Sequence, residues 1–175
     1  MRVSDAIITR DTMSRAIVIG IDPGIASTGI AIVEGKGFRV DRHQWDVIRT
    51  LPSLPQGERL NTIHRAILQR LQHLRPNLVV IEDVFLLDAA PKSAFAISTV
   101  IGVVLLAAAQ SHVPIERISV REAKQVLTGN GRASKEQLER TVRSILGIDH
   151  PIKPDHASDA LGLALIGLLR YDTRS

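Results

Sequence analysis

The alternation of apolar and polar positions along the chain predicts a group of strands first and helices later. An apolar, β-branched run over residues 17–22 stops at Pro23-Gly24, and a second run covers residues 29–34. The short turn between the two runs predicts a β-hairpin. A looser alternation over residues 38–48 predicts a third antiparallel strand. The first part of the chain is therefore predicted to be a three-stranded meander.

The remainder of the chain alternates between helical and strand patterns. Apolar residues at three- and four-residue steps predict a helix over residues 60–74, and the apolar run 78–83 predicts a central strand buried on both faces. The elements predicted after it are a helix at 93–111, a strand at 114–120, a short helix at 121–127, a helix opened by a capping box at Ser134, and a last helix from Pro154 to about Leu169. Strands joined through a helix run parallel, so we expect an α/β protein with a mixed sheet and helices packed on it.

The composition narrows the chemistry that this fold can carry. The chain has 175 residues, 45% of them apolar, which suits one domain. It has 22 Lys and Arg against 18 Asp and Glu, a net charge of +4 that fits a polyanionic partner without requiring one. Cysteine is absent, which excludes disulfides, thiolate zinc sites and cysteine nucleophiles. Any metal must therefore be held by carboxylates, histidines or water.

The N-terminal segment does not predict export, and the longest uncharged run does not predict membrane insertion. Charged residues interrupt the short apolar run near the N-terminus, so we expect a cytoplasmic protein. Residues 93–112 carry no Asp, Glu, Lys or Arg, but the polar residues Ser98, Thr99, Gln110 and Ser111 leave the apolar part too short to span a bilayer. This segment is predicted to be a helix buried in the core or in a dimer interface.

Three acids stand where chemistry could use them. Asp22 ends the first strand, Glu82 ends the central strand, and Asp159 lies in the last helix. Each alone has a structural explanation as a turn residue or a helix-start residue. Because all three follow or face apolar segments, they are predicted to meet in a partly dry site, where their repulsion favours bridging by Mg²⁺ or Mn²⁺. Asp155 and His156 lie four and three residues before Asp159, and spacing alone does not choose between them.

Five ordered segments carry a resemblance to a known family. They are IGIDPGIASTGIAIV, VVIEDVF, APKSA followed by GVVLLAAA, ISVREAKQVLTGNGRASKEQ, and PDHASDALGLAL. Over about residues 16–170 the chain resembles the RuvC family of Holliday-junction resolvases. The resemblance implies an RNase H-like fold, a five-stranded mixed sheet flanked by helices. We therefore expect a disordered extension at residues 1–15, a nuclease domain at 16–170 and a tail at 171–175, with Met13 as an alternative start.

The resemblance also implies an activity and a set of catalytic residues. It implies a homodimer that nicks two strands of like polarity at a four-way DNA junction with Mg²⁺ or Mn²⁺, two ions per subunit. Asp22, Glu82 and Asp159 match the family's catalytic acids. The remaining position is Asp in many members and His156 here, so His156 or the less favoured Asp155 is expected to be the fourth ligand. An imidazole ligand should favour Mn²⁺ over Mg²⁺.

Further residues match positions that contact DNA in the family. Phe85 matches an aromatic side chain that stacks on bases at the opened junction. Lys124 and Lys135 match phosphate-contacting lysines, and weaker expectations of the same kind are Lys92, Arg121 and Arg132. The RuvA and RuvB branch-migration proteins are partners that the resemblance suggests.

Other functions fit parts of this pattern. The first hairpin also resembles that of the actin and sugar-kinase superfamily, but the chain is too short for that repeated fold. A junction-binding protein without strong catalysis, or an RNase H-like nuclease acting on RNA, are further alternatives. Cleavage tests on junction, linear duplex and RNA–DNA hybrid separate them.

Overall fold

A computed structural model describes residues 15–83 and 91–174, with the backbone alone for residues 91–93 and 172–174. The strands are β1 (Ala16–Asp22), β2 (Ser27–Lys36), β3 (Arg39–Arg49), β4 (Leu78–Glu82) and β5 (Ile115–Ile118). The helices are α1 (Gln56–Leu74), α2 (Pro91–Gln110), α3 (Val120–Thr128), α4 (Lys135–Leu146) and α5 (Asp155–Arg174). The expected extension at residues 1–15 lies, except for Arg15, outside the described residues.

The five strands form one mixed sheet in the order β3-β2-β1-β4-β5. The first three strands pair antiparallel as the predicted meander, whereas β4 lies parallel to β1 and β5 lies parallel to β4. Parallel pairing follows from the crossovers through α1 and α2. This confirms the predicted α/β class and the RNase H-like sheet that the resemblance implied.

The alternation of side chains along the strands divides the core into two layers. Val18 and Val80 pack with α3, α4 and α5 on one face, whereas Ile19 and Ile81 pack with α1 and α2 on the other. Because successive side chains of a strand point to opposite faces, Asp22 and Glu82 continue the series of Val18 and Val80. Both catalytic candidates therefore lie on the face that α5 covers.

The uncharged helix α2 packs one side into the core, as predicted. Val100 and Val104 are fully buried there, while Phe95 and Leu106 on the same helix are 67% and 52% exposed. Among the described residues, none of the helices is long and apolar enough to cross a membrane.

The helix ends differ from the predictions at one important place. The capping box at Ser134 is present as predicted, with the Ser134 hydroxyl accepting from the N–H of Gln137 and the Gln137 side chain accepting from the N–H of Ser134. Helix α5, by contrast, continues to Arg174, so residues 171–174 extend the helix instead of forming a separate tail. Tyr171 explains the extension, because it packs against the core and its hydroxyl accepts a hydrogen bond from Asn77 at 3.4 Å.

Candidate active site

Two of the predicted acids lie side by side at the end of the sheet. In the parallel pair of β1 and β4, Ile21 is aligned with Ile81, so Asp22 and Glu82 are the next residues of neighbouring strands. Both face α5, and Asp22 is only 7% exposed. The two carboxyl groups are close enough to share a hydrogen bond. The sheet register alone therefore brings together residues that are sixty positions apart.

Helix α5 approaches the sheet closely because two glycines leave room for it. A Cβ atom on Gly20 of β1 would lie 2.0 Å from the carbonyl oxygen of Ala160, and one on Gly29 of β2 would lie 2.0 Å from that of His156. Real side chains never approach so closely, so only glycine fits at either position. This main-chain contact places the first turns of α5 beside the acids. The sequence pattern alone predicted no role for either glycine. A glycine inside a β-branched strand is nevertheless a signal of close backbone approach.

The first turn of α5 supplies a histidine to the site. The Nδ1 atom of His156 lies 2.5 Å from Oδ2 of Asp22, where the ring N–H donates to the carboxylate. This hydrogen bond raises the pKa of His156, and the negative charges of Asp22 and Asp159 act in the same direction. Partial burial and the charge of Lys135 oppose the rise. His156 is therefore a member of the carboxylate cluster.

Asp155 contacts lysines at the edge of the cluster. It is exposed, with Lys153 Nζ at 3.1 Å from its Oδ1 and Lys135 Nζ at 3.7 Å from its Oδ2. The hydrogen bond from Lys153 lowers the pKa of Asp155, and the charges of both lysines add to the effect. The acid that follows Glu82 is also engaged elsewhere, because Asp83 accepts a hydrogen bond from Arg117 at 2.6 Å. Neither acid shares the surroundings of Asp22.

Asp159 completes the cluster and is paired with a lysine from α4. Lys135 Nζ lies 3.0 Å from Asp159 Oδ2, and the lysine stands at the first position of its helix. Burial raises the pKa of Asp159, an effect that the hydrogen bond from Lys135 partly offsets. Burial would lower the pKa of Lys135, but its hydrogen bond and charge interaction with Asp159 outweigh burial, and the pKa is raised. The lysine is held as a cation beside the acids.

The carboxyl group of Glu82 has a strongly raised pKa. Burial is the largest of the causes that raise the pKa of Glu82 to about 8, followed by the charge of Asp22, the hydrogen bond with Asp22 and the charge of Asp159. Lys135 opposes it. Without a further cation, the pocket therefore keeps a proton on Glu82 at neutral pH, since several ionised carboxylates repel one another in a partly dry site.

The donor set fits hard divalent cations. Three carboxylates and one imidazole offer oxygen and nitrogen ligands of the kind that Mg²⁺ and Mn²⁺ accept. Across residues 15–83 and 91–174, however, no three such side chains are already spaced to ligate one ion together. His156 contacts one oxygen of Asp22, and Lys135 contacts one oxygen of Asp159.

A cleft of about 240 Å³ opens beside the acids and brings in one more predicted residue. Its charged lining consists of Glu82, Asp159, Lys124 and Lys135, and α3, α4 and α5 supply an apolar floor. The structure therefore places both predicted phosphate-contacting lysines at the carboxylate cluster. A phosphate at this cleft would meet two ammonium groups next to the acids.

The other predicted DNA-contacting residues lie elsewhere or outside the described part. Arg121 and Arg132 are exposed on α3 and on the following loop, and a Cβ on Gly131 would lie 3.2 Å from the Arg121 side chain. Phe85 lies outside the described residues, as does the side chain of Lys92. Roles of these four in DNA binding stay predictions.

Comparisons with known proteins give matches over most of the chain. The family model described as crossover junction endodeoxyribonuclease RuvC matches residues 18–167. Proteins with that name from Moorella thermoacetica and Thermus thermophilus are 36% and 37% identical over 149 and 152 residues. These alignments cover 85% of this chain, and 89% and 91% of the respective relatives.

A solved structure supports the same relationship. The structure described as Thermus thermophilus RuvC in complex with Holliday junction substrate has a TM-score of 0.85 and 34% sequence identity to this chain. The match covers 91% of this chain and 96% of that one. Members of this family are metal-dependent nucleases. The sheet, the acids at its end and the matched length lead to one conclusion: the chain belongs to the RuvC family of crossover junction endodeoxyribonucleases.

Proposed function

We propose that this protein is a divalent-metal-dependent endonuclease that resolves four-way DNA junctions, in recombination and DNA repair, by paired nicks in strands of like polarity. The observation that carries the proposal is the cluster of Asp22, Glu82 and Asp159 beside two lysines, in a chain of the RuvC family. The Thermus relative, described in complex with a Holliday junction substrate, supports the choice of branched DNA. We expect the protein to act in the cytoplasm.

The three acids and His156 would hold the metal, Mg²⁺ or Mn²⁺, as two ions per subunit. Bound there, the ions would lower the pKa of the attacking water and stabilise the leaving 3′ oxygen. The expected products are 5′-phosphate and 3′-hydroxyl ends.

The protein side chains have separate tasks around that centre. Lys124 and Lys135 line the cleft and would hold the phosphate for in-line attack. In the neutral ring, the hydrogen bond from His156 Nδ1 to Asp22 would leave the Nε2 lone pair as the acceptor, for a metal or for a proton from water. Asp22 thus orients the imidazole.

The expected homodimer has a candidate surface on α2. Phe95 and Leu106 are large apolar side chains that stand more than half exposed on this helix. A two-fold dimer would present one active site to each of two strands, which accounts for symmetric cutting. RuvA and RuvB are proposed as partners on family grounds alone.

A cleavage assay tests the proposed function. A synthetic four-way junction, a linear duplex and an RNA–DNA hybrid are incubated with the protein in Mg²⁺ and, in parallel, in Mn²⁺. The proposal expects paired nicks in the junction only, and loss of cleavage with retained junction binding in Asp22→Asn, Glu82→Gln and Asp159→Asn. Full cleavage by any of these variants contradicts the site. Preferred cutting of the hybrid, or binding without cutting in either metal, supports the two alternatives named above.

A further inference from the structure

The turn that follows Asp22 is held from inside by two threonines. Three successive carbonyl groups of the turn accept hydrogen bonds from side chains or backbone outside it. The Thr28 hydroxyl donates to Gly24 at 2.7 Å, the Thr50 hydroxyl donates to Ile25 at 2.5 Å, and the Thr50 N–H donates to Ala26 at 3.1 Å. Thr28 is fully buried and Thr50 is 8% exposed. The backbone that leaves the catalytic strand is therefore fixed at every residue from 24 to 26.

Thr50 is itself oriented by an arginine from α1. Arg59 Nε donates to the Thr50 oxygen at 2.8 Å. Because the hydroxyl oxygen receives this charged donor, its own hydrogen is directed at the carbonyl of Ile25. A relay of two hydrogen bonds thus runs from Arg59 in α1, through Thr50 just after β3, to Ile25 in the turn beside Asp22.

The relay lies next to the cluster without belonging to it. Asp22 is paired with Gly29 in the hairpin, and the turn closes the loop between them. A shift of the turn would move the end of β1 and with it the carboxylate of Asp22. Displacements of about 1 Å at a reacting centre are enough to lower a rate roughly a hundredfold.

We propose that Thr50 and Arg59 are positioning residues for DNA cleavage. They hold the turn after Asp22, so that the Asp22 carboxylate meets Glu82 and His156 in reactive geometry. Neither residue is expected to touch the metal or the scissile phosphate. The inference rests on the proposed junction-cleaving function and adds a structural requirement to it.

The test compares Thr50→Val, which removes the hydroxyl at nearly constant shape, with Thr50→Ser, which keeps it. We expect Thr50→Val to lower the single-turnover cleavage rate about 10- to 100-fold at saturating metal, with junction Kd unchanged within about twofold. Thr50→Ser should restore most of the rate. Arg59→Met should reproduce the loss in milder form, because the hydroxyl can then rotate away from Ile25.

Two controls separate positioning from general destabilisation. Thr62→Val, on α1, removes a hydroxyl that bonds only within its own helix, to the Glu58 carbonyl. Ile67→Val removes one buried methylene from the core beside α1 and lowers the stability without touching the turn. Both should cleave at the wild-type rate. Amide hydrogen exchange should rise over residues 24–28 in Thr50→Val and stay unchanged there in both controls.

The outcomes distinguish failure of the inference from failure of the proposed function. A wild-type protein that cuts while Thr50→Val cuts equally fast overturns the inference and leaves the function intact. Equal rate losses in Thr50→Val and Ile67→Val also overturn it, since stability alone would then explain the effect. A wild-type protein that does not cut junctions overturns both.

Discussion

His156 Nδ1 contacts Asp22 Oδ2 at 2.5 Å, joining the first turn of the last helix to the end of the first strand. Asp155, one residue earlier, is exposed and contacts Lys153 at 3.1 Å and Lys135 at 3.7 Å instead. The helix therefore presents only one of the two neighbouring candidates to the carboxylate cluster, and this decides how the fourth ligand position is best tested.

Substitution at these two positions should give unequal results. We expect His156→Ala to lower junction cleavage at least tenfold in Mn²⁺, whereas Asp155→Asn should change it less than about twofold, because Asp155 lies outside the cluster. His156→Asp should shift the Mg²⁺-to-Mn²⁺ rate ratio towards Mg²⁺, since carboxylate oxygen suits that ion better than imidazole nitrogen. The ratio is measured under single-turnover conditions. Strong loss in Asp155→Asn alone would reverse the assignment.

Metal binding should be linked to proton release. Glu82 has a pKa raised to about 8 in the metal-free protein, and ligation needs its ionised form. We therefore expect Mn²⁺ affinity to increase from pH 6 to about pH 8, by up to about tenfold per unit, and to level off above it. Calorimetry in buffers of different ionisation enthalpy should show about one proton released near pH 7. An affinity that is constant from pH 6 to 8 would contradict the raised pKa.

The same proton makes the metal-free protein less stable at high pH. The folded pKa of Glu82, about 8, lies above the ordinary glutamate value of 4.5, so its contribution to stability is complete below about pH 4.5 and is lost as pH rises through 8. Glu82→Gln carries no charge to bury. In EDTA at pH 9 this variant should melt several degrees above the wild type, and the two Tm values should converge near pH 4. Equal Tm values at pH 9 would contradict the electrostatic account.

Lys135 is expected to serve both the acids and the substrate. Lys135→Met removes the cation that lies 3.0 Å from Asp159 and lines the cleft. We expect a cleavage rate at least tenfold lower, and a slope of log Kd against log salt that is smaller by about one, as for the loss of one phosphate contact. Lys36→Met is the matched control, since Lys36 is the last residue of β2 and lies at the end of that strand away from His156. This variant should leave the rate unchanged. An unaltered salt slope in Lys135→Met would remove the phosphate role.

The two glycines under α5 should not tolerate a methyl group. In Gly29→Ala the new Cβ would lie 2.0 Å from the His156 carbonyl oxygen, so the helix has to move or the protein unfolds. We expect a loss of at least about 2 kcal/mol in unfolding free energy and a large loss of cleavage. Gly162→Ala is the matched control on α5, since its nearest neighbours are 3.6 Å and 3.7 Å away. A Gly29→Ala protein with wild-type activity would disprove the close-packing account.

The sequence was sufficient to predict the sheet and the acids because both depend on local patterns. The runs that end at Asp22 and Glu82 are short, apolar and β-branched, as in strands buried on both faces, and the parallel register of the structure aligns their ends. The end of α5 was placed too early, because Tyr171 is anchored by Asn77, a partner remote in sequence.

Contacts between distant residues account for what the sequence could not resolve. The choice between Asp155 and His156 depends on how α5 rotates as it sits on Gly20 and Gly29, which no single segment encodes. The relay from Arg59 through Thr50 is likewise invisible locally, because it joins a helix start, a strand end and a turn.

The contact of α5 with the main chain at two glycines limits how the sequence of this enzyme can vary. At Gly20 and Gly29 the helix touches main chain instead of side chains, so there is no deformable layer that could absorb a small adjustment in its seating. Small substitutions in the surrounding core therefore cannot shift the positions of His156 and Asp159 by small steps. Variation in metal preference across related sequences should arise by exchanging the ligand at position 156 itself, on a helix whose seating stays the same.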